Sequence, residues 1–337
     1  MMNHHLYNLE SNWKFDDGGK YKIFRDWIPQ DNIIWWKLSS IPSAINVLEK
    51  NMDKINWTWF SENPAAIHIL EKNIDKINWY YLSRNPSAMC LLEKNIIKLG
   101  WHEWHPLSGN PNPNVMNIVS THIEQIDWVV LSCNPAAISI LEKNLDKLDW
   151  DCLSRNPNAI SILEKNIDKV YFGILSENPN AIHILEKNLD KVNWDYLSKN
   201  PSAIHILEKN LDKVNWLFLS KNPNAIHLLE KNLDKVNWQF MSMNVNAIHL
   251  LEKNLDKLSW LGWFYLSGNP NAIHIMEKNL DKVDWDALTI NPNIFTYDYE
   301  AIKNVMYKEG GIAEELMQNR FHPKNMDKWD GWGIDFD

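Results

Sequence analysis

Cysteine is close to absent: Cys90, Cys133 and Cys152 are the only three in 337 residues, and no two form a Cys-x-x-Cys pair. An odd count scattered this way excludes a disulfide frame and a zinc knuckle, and it fits a reducing, intracellular setting. The first residues, Met-Met-Asn-His-His-Leu-Tyr, lack the basic start and apolar run of a secretion signal. No apolar stretch approaches the roughly 20 residues needed to span a bilayer. The chain therefore reads as cytoplasmic, neither secreted nor membrane-embedded. Positive charge is also short. The net charge of −9 argues against a generic electrostatic grip on nucleic acid or an anionic membrane. A glycine-rich phosphate loop, a nucleophile elbow and a His-Glu-x-x-His run are all missing. Nothing is left to name as a catalytic residue, a cofactor contact or a metal ligand, and no small-molecule substrate is indicated. An enzyme is not expected.

What the chain has in abundance is repetition and tryptophan, with 19 of the latter. The stretch Asn178 to Lys199 starts again at Asn200 almost letter for letter, and this 22-residue unit recurs along most of the sequence. A fixed short period is the signature of a solenoid, in which each unit contacts only its neighbours. An aromatic slot holds Trp57, Trp79, Trp101, Trp128, Trp150, Phe172, Trp194, Trp216, Trp238, Trp260 and Trp285. The spacing breaks where three residues enter at Trp101-His102-Glu103-Trp104 and at Trp260-Leu261-Gly262-Trp263, with two more at Pro111-Asn112-Pro113. Each three-residue insertion duplicates the tryptophan at i, i+3, as if a helix gained nearly one turn without rotating its buried face. The chain divides into an N-terminal cap (1–34), the array (35–292) and a C-terminal helical cap and tail (293–337). The lead-in is aromatic (Trp13, Phe15, Tyr21, Phe24, Trp27), and Ile312 to Arg320 is helical in composition. Atypical ends are what a stack needs to shield its terminal faces.

Within one unit each special residue has a local task. Asn200 followed by Pro201 is a helix start, an N-cap with proline at the first position. Ala203, Ile204, Ile206 and Leu207 form the apolar side of a helix of about two and a half turns. Asn210 is placed to end it in the left-handed conformation, with Leu211 folding back onto Ile206. Asp212 caps a second short helix carrying Val214, Trp216, Phe218 and Leu219, which stops near Ser220. Neither helix is long enough to stand alone, so stability comes from stacking. The expected fold is an all-α solenoid of about eleven units, a rod or superhelix on the order of 100 Å long at about 8–10 Å per contact. The alternative is a leucine-rich-repeat-like α/β solenoid, whose period includes 22. Its strand needs an apolar residue where this chain has Thr58, Tyr80, Asp151, Gly173, Asp195, Leu217 and Gln239. No strand alternation is enforced there.

Tandem Asn-Pro-x-Ala-Ile-x-x-Leu-Glu-Lys-Asn units carrying x-x-Asn-Trp-x-x-Leu-Ser resemble the short repeat proteins encoded by giant double-stranded DNA viruses and related environmental sequences. The end, Glu315-Leu316-Met317 to Phe321-His322-Pro323-Lys324 and Lys328-Trp329, is similar to a tail that closes many of them. The resemblance implies a viral or virus-derived repeat protein of the host-cell cytoplasm or the virion. It carries no catalytic residue over.

Three columns invite chemistry. His68, His183, His205, His227, His249 and His274 share a slot that elsewhere holds Asn46, Cys90, Asn117, Ser139 and Ser161. Equivalent atoms in stacked helical units stand about 8–10 Å apart, too far to share one metal ion. Exchange with small polar residues suits a hydrogen-bonding position beside the glutamate three residues on, with a pH-responsive surface as the alternative. The tryptophan column reads as core rather than as a base-stacking platform. The Glu-Lys and Asp-Lys pairs read as a solvated face.

Against this constancy two slots vary, the one after the tryptophan and the one after the serine. Solenoids gather such unconstrained positions on one surface, where partners are read. The candidate partner-binding residues are Arg84, Asp151, Arg155, Asp195, Lys199, Lys221, Gln239 and Phe264. The leading expectation is a non-catalytic protein–protein interaction scaffold. The alternatives are a structural or assembly component of a virion and an RNA-binding helical repeat.

Overall fold

Each unit is two short helices joined by two tight turns. In the unit that opens at Asn200, the Pro201-Ser202 turn leads into the helix Ile204–Glu208, and a second turn leads into Trp216–Ser220. The computed structural model describes residues 21–307, and over them the protein is an all-α solenoid with one pair of three-residue strands. The residues after each tryptophan are helical, so the leucine-rich-repeat alternative is not adopted. Trp13 and Phe15 of the lead-in, the helix expected over 312–320 and the tail lie outside the described residues.

The asparagines set the turns, though not all as expected. Asn63 Oδ1 accepts from the Ala65 N–H at 3.0 Å, with Pro64 at the first position. The second helix is capped by the residue immediately before the tryptophan, not by Asp212. Asn215 Oδ1 accepts from Leu217 and Phe218 at 3.1 and 3.3 Å. Nor is the asparagine that ends the first helix left-handed: Asn73, Asn166 and Asn232 have φ of −131°, −132° and −135°. Its amide instead donates to the carbonyl four residues back, Asn210 to Ile206 at 2.8 Å. That bond ends the helix with no need for positive φ. Leu211, expected to fold back, stays 38% exposed and joins Ile167, Leu189 and Leu233 in a half-exposed apolar column.

Units are tied to one another by two buried polar ladders. Each serine after the leucine (Ser39, Ser61, Ser83 and so on to Ser267, then Thr289) is fully buried, and together they mark twelve units. Its hydroxyl donates to the carbonyl four residues back and, except at Ser83 and Ser242 beside the two insertions, accepts the backbone N–H that opens the next unit's helix, as Asn215 N–H to Ser198 at 3.0 Å. The eleven N-cap asparagines are equally buried. While Oδ1 of Asn200 caps its own turn, its amide bridges back to the carbonyls of Ser176 and Asn178 at 3.0 and 3.1 Å. One side chain thereby satisfies three backbone groups that burial would otherwise leave unpaired.

The array is not the expected rod: its ends meet. Strand β1 (Lys22–Phe24) pairs antiparallel with β2 (Phe295–Tyr297), placing Phe24 opposite Phe295. Their rings stack with centroids 5.2 Å apart. Arg25 donates its N–H to Ile294 and its Nε to Asn293, at 3.0 and 2.8 Å. The last unit also touches the first in the repeat's own register. Thr289 Oγ1 accepts the Ile34 N–H at 3.3 Å, in the role that serine plays elsewhere. Lys37 meets Asp286 at 2.6 Å, and Trp27 packs on Trp285. The two atypical ends cap the solenoid by joining each other, and twelve units close into a ring.

Candidate functional site: the inner wall of the ring

Curvature sorts the two helices of a unit. Neighbouring helices that start at the tryptophan run closer together than neighbouring helices of the Ile-x-x-Leu type. The former are therefore the inner wall and the latter the outer. Twelve inner helices at about 8–10 Å between axes leave a clear opening on the order of 20 Å once helix radii are subtracted.

The tryptophans do not line that opening with bare faces. In ordinary units they are half-buried, and a lysine one unit on lies over the ring: Lys76 over Trp57, Lys213 over Trp194 and Lys235 over Trp216, at 4.6, 4.8 and 4.9 Å from the centroid. In every Asp-Lys pair among the described residues but Asp281-Lys282, whose lysine meets its own aspartate, half of the pair is thus a cation–π lid rather than a solvated charge. In the two insertion units the slot is filled by the second tryptophan of the pair, contrary to the expected Trp101 and Trp260. Trp104 and Trp263 are 1% and 9% exposed, and their carbonyls accept from Ser108 and Ser267 in the usual pattern. Trp101 and Trp260 are the inserted residues and stand 76% and 77% exposed.

On an inner helix the leucine and serine positions point into the core, so the residues one, two and five after the tryptophan face the opening. All eight candidates fall on this wall, and several are already engaged. Arg84 pairs with Glu62 at 3.3 Å, and Asp195 accepts from the Asn215 amide at 2.7 Å. Gln239 Oε1 accepts from the backbone N–H and the hydroxyl of Ser259, anchoring the second insertion. A Cβ at Gly262 would fall 2.5 Å from that oxygen, so a larger residue there would push the Gln239 side chain aside. Lys199 lies over Tyr196 and Phe218, and Phe264 packs edge-on against Tyr265. Asp151 and Arg155 are exposed.

Aromatic side chains two after the tryptophan, together with Trp36 one after Trp35, form ladders that none of the eight candidates marks. Trp36, Trp59 and Tyr81 follow one another at 5.4 and 5.1 Å, and Phe240 meets Tyr265 at 6.0 Å. The slot varies in the sequence as the other two do, but a residue in it such as Phe218 reads equally well as part of the second helix's apolar stripe. Between these arcs the first insertion opens two hollows of about 350 and 400 Å³ that share Tyr80 and His105. His105 pairs with Asp127 at 2.8 Å. Burial works against the Asp127 charge, but the Val130 N–H, His105 and the Val129 N–H together hold its carboxyl below the usual range. Farther round, Cys152 is pushed up to about 12 by burial first, then by Cys133 and Asp149.

The histidine column lies on the outer wall. Its partner is not the glutamate three residues on but that of the preceding unit: His205 meets Glu186 at 2.7 Å, leaving Glu208 for His227. Among the described residues no three His, Cys, Asp or Glu side chains converge as a metal site requires, and no helix is long and apolar enough to cross a membrane. Comparison with family models, with curated proteins and with solved structures gave no match.

Proposed function

We propose that this protein is a non-catalytic protein-interaction scaffold of ring form, binding a partner protein on its inner wall. The observation that carries the reading is the division of labour within each unit. Caps, ladders and core are constant, while the three slots facing the opening differ from unit to unit and present aromatic, cationic and acidic groups in a fixed order. A rigid frame that displays a varied wall is built for recognition. The lysine lids occupy the tryptophan faces that an RNA base would need, which disfavours the helical RNA-binding alternative. The resemblance noted in the sequence supports reading it as a virus-encoded scaffold that would act in the host-cell cytoplasm.

The test is a photo-crosslinking residue introduced at Trp36 or Val129 on the inner wall and at Lys187 or Lys209 on the outer, in expressing cells. A protein partner crosslinked from the inner positions is the expected result. Crosslinks confined to the outer positions would reject the reading. A second reading, an assembly component of a virion, is favoured by the half-exposed apolar column with the protruding Trp101 and Trp260. Crosslinks from Leu211 or Trp101 to other copies of the chain in purified particles would establish it.

A further inference from the structure

One stretch of the inner wall holds charge that the protein itself does not neutralise. Lys199 Nζ lies 4.5 Å from the Tyr196 centroid and 4.4 Å from that of Phe218. Lys221, one unit on, reaches the same Phe218 ring at 5.4 Å. Among the described residues neither lysine makes an ion pair, whereas Lys37 and Arg84 on the same wall both do. The nearby acids do not close the gap. Asp195 is taken by Asn215, and Glu177 acts on Lys221 only from beyond ion-pair distance. Lys221 is held below its ordinary range, by burial first and by Lys199 second. Two like charges over one ring, one of them partly desolvated, repel each other in the free protein, and an incoming anion would relieve that repulsion.

We infer, on the interaction reading above, that Lys199 and Lys221 form an anion platform for an acidic, apolar segment of the partner protein. Carboxylates of the segment meet the two ammonium groups, and its apolar side chains lie on Phe218 and on Phe240 and Met243 of the next unit. A phosphodiester strand is the poorer occupant. It needs a run of free cations, and here two free lysines are flanked by Asp195 and by Glu177, which stands between them and the exposed Arg155, on a wall whose Lys37 and Arg84 are already paired. A short acidic stretch matches two cations and an aromatic floor.

The experiment is fluorescence anisotropy of the full-length chain with a labelled peptide of alternating glutamate and phenylalanine. The expected result is binding that weakens with added salt and loses at least tenfold in Kd in the Lys199→Glu, Lys221→Glu double variant. Lys199→Met with Lys221→Met, which adds no acid to the wall, should lose binding as well. Lys187→Glu with Lys209→Glu, on the outer wall, should leave it unchanged. Equal binding by wild type and the charge-reversed variant, or equal binding of a peptide with lysine in place of glutamate, would overturn the platform. Tighter binding of a single-stranded oligonucleotide through the same two lysines would overturn it in favour of nucleic acid. Were the platform to fail while Trp36 and Val129 still crosslinked a protein, the interaction scaffold would stand with its acidic-segment site rejected.

Discussion

The asparagine that opens each unit does two jobs at once, and its two heteroatoms can be separated by mutation. Asn200→Ala removes the cap of its own turn and strands the buried carbonyls of Ser176 and Asn178, which should cost about 2–4 kcal/mol. Asn200→Asp keeps the capping oxygen and removes the donor. Denaturant unfolding should find it at least as unstable as the alanine variant, and wild-type stability in Asn200→Asp would refute the bridging role. Lys221 makes the opposite case. Its depressed pKa means that the folded state disfavours the charge it carries at neutral pH. Lys221→Met should therefore raise the melting temperature at pH 7. That advantage should shrink as pH climbs through the depressed folded value and vanish above the ordinary lysine value of about 10.4, where the wild-type charge is lost in both states. A gain that persisted undiminished at high pH would trace to packing instead of charge.

At the scale of the element, the doubled tryptophans distinguish a buried residue from an inserted one. Trp104→Ala should cost about 3–5 kcal/mol, as removal of a large buried side chain does, while Trp101→Ala should stay within about 0.5 kcal/mol. Equal losses in chemical denaturation would contradict the assignment. Helix existence was legible in the sequence because Asn-Pro starts and Ile-x-x-Leu spacing are local signals. The choice between Trp101 and Trp104 was not, since i and i+3 lie on the same helical face and either satisfies the period. The cap of the second helix was misassigned for a similar reason. Asp212 and Asn215 are both good caps, and only the turn between them decides which one precedes the helix. The exposed slots of the site were readable from their variation. That Gln239, Asp195 and Arg84 are already occupied was not, because each partner lies in a neighbouring unit or insertion.

The whole molecule is the scale at which the sequence misled most. Period and composition report one unit, whereas closure is the sum of small rotations between units, fixed by packing that no single unit encodes. Three residues of β1 are too few to stand out as a strand. One mark the seam left in the sequence is the absence of asparagine at Ile41. Its backbone, φ −86° and ψ 118°, matches that of the capping asparagines, such as Asn63 at −72° and 114°. Yet its side chain cannot bridge back to the last unit. Ile41→Asn should complete the ladder and raise stability by about 1 kcal/mol, read as a higher melting temperature. A loss instead would show that the apolar contacts of Ile41 outweigh the missing rung.

Closure also changes what holding a partner means. An open solenoid releases its ligand sideways whenever the contacts let go. A ring with an opening on the order of 20 Å has no side exit, so a segment that passes through it leaves only along its own length. If that segment carries a folded domain on each flank, escape waits for a domain to unfold or for the β1–β2 seam to part. Residence time is then a matter of mechanics, and weak contacts on the wall can be enough to keep a partner in place.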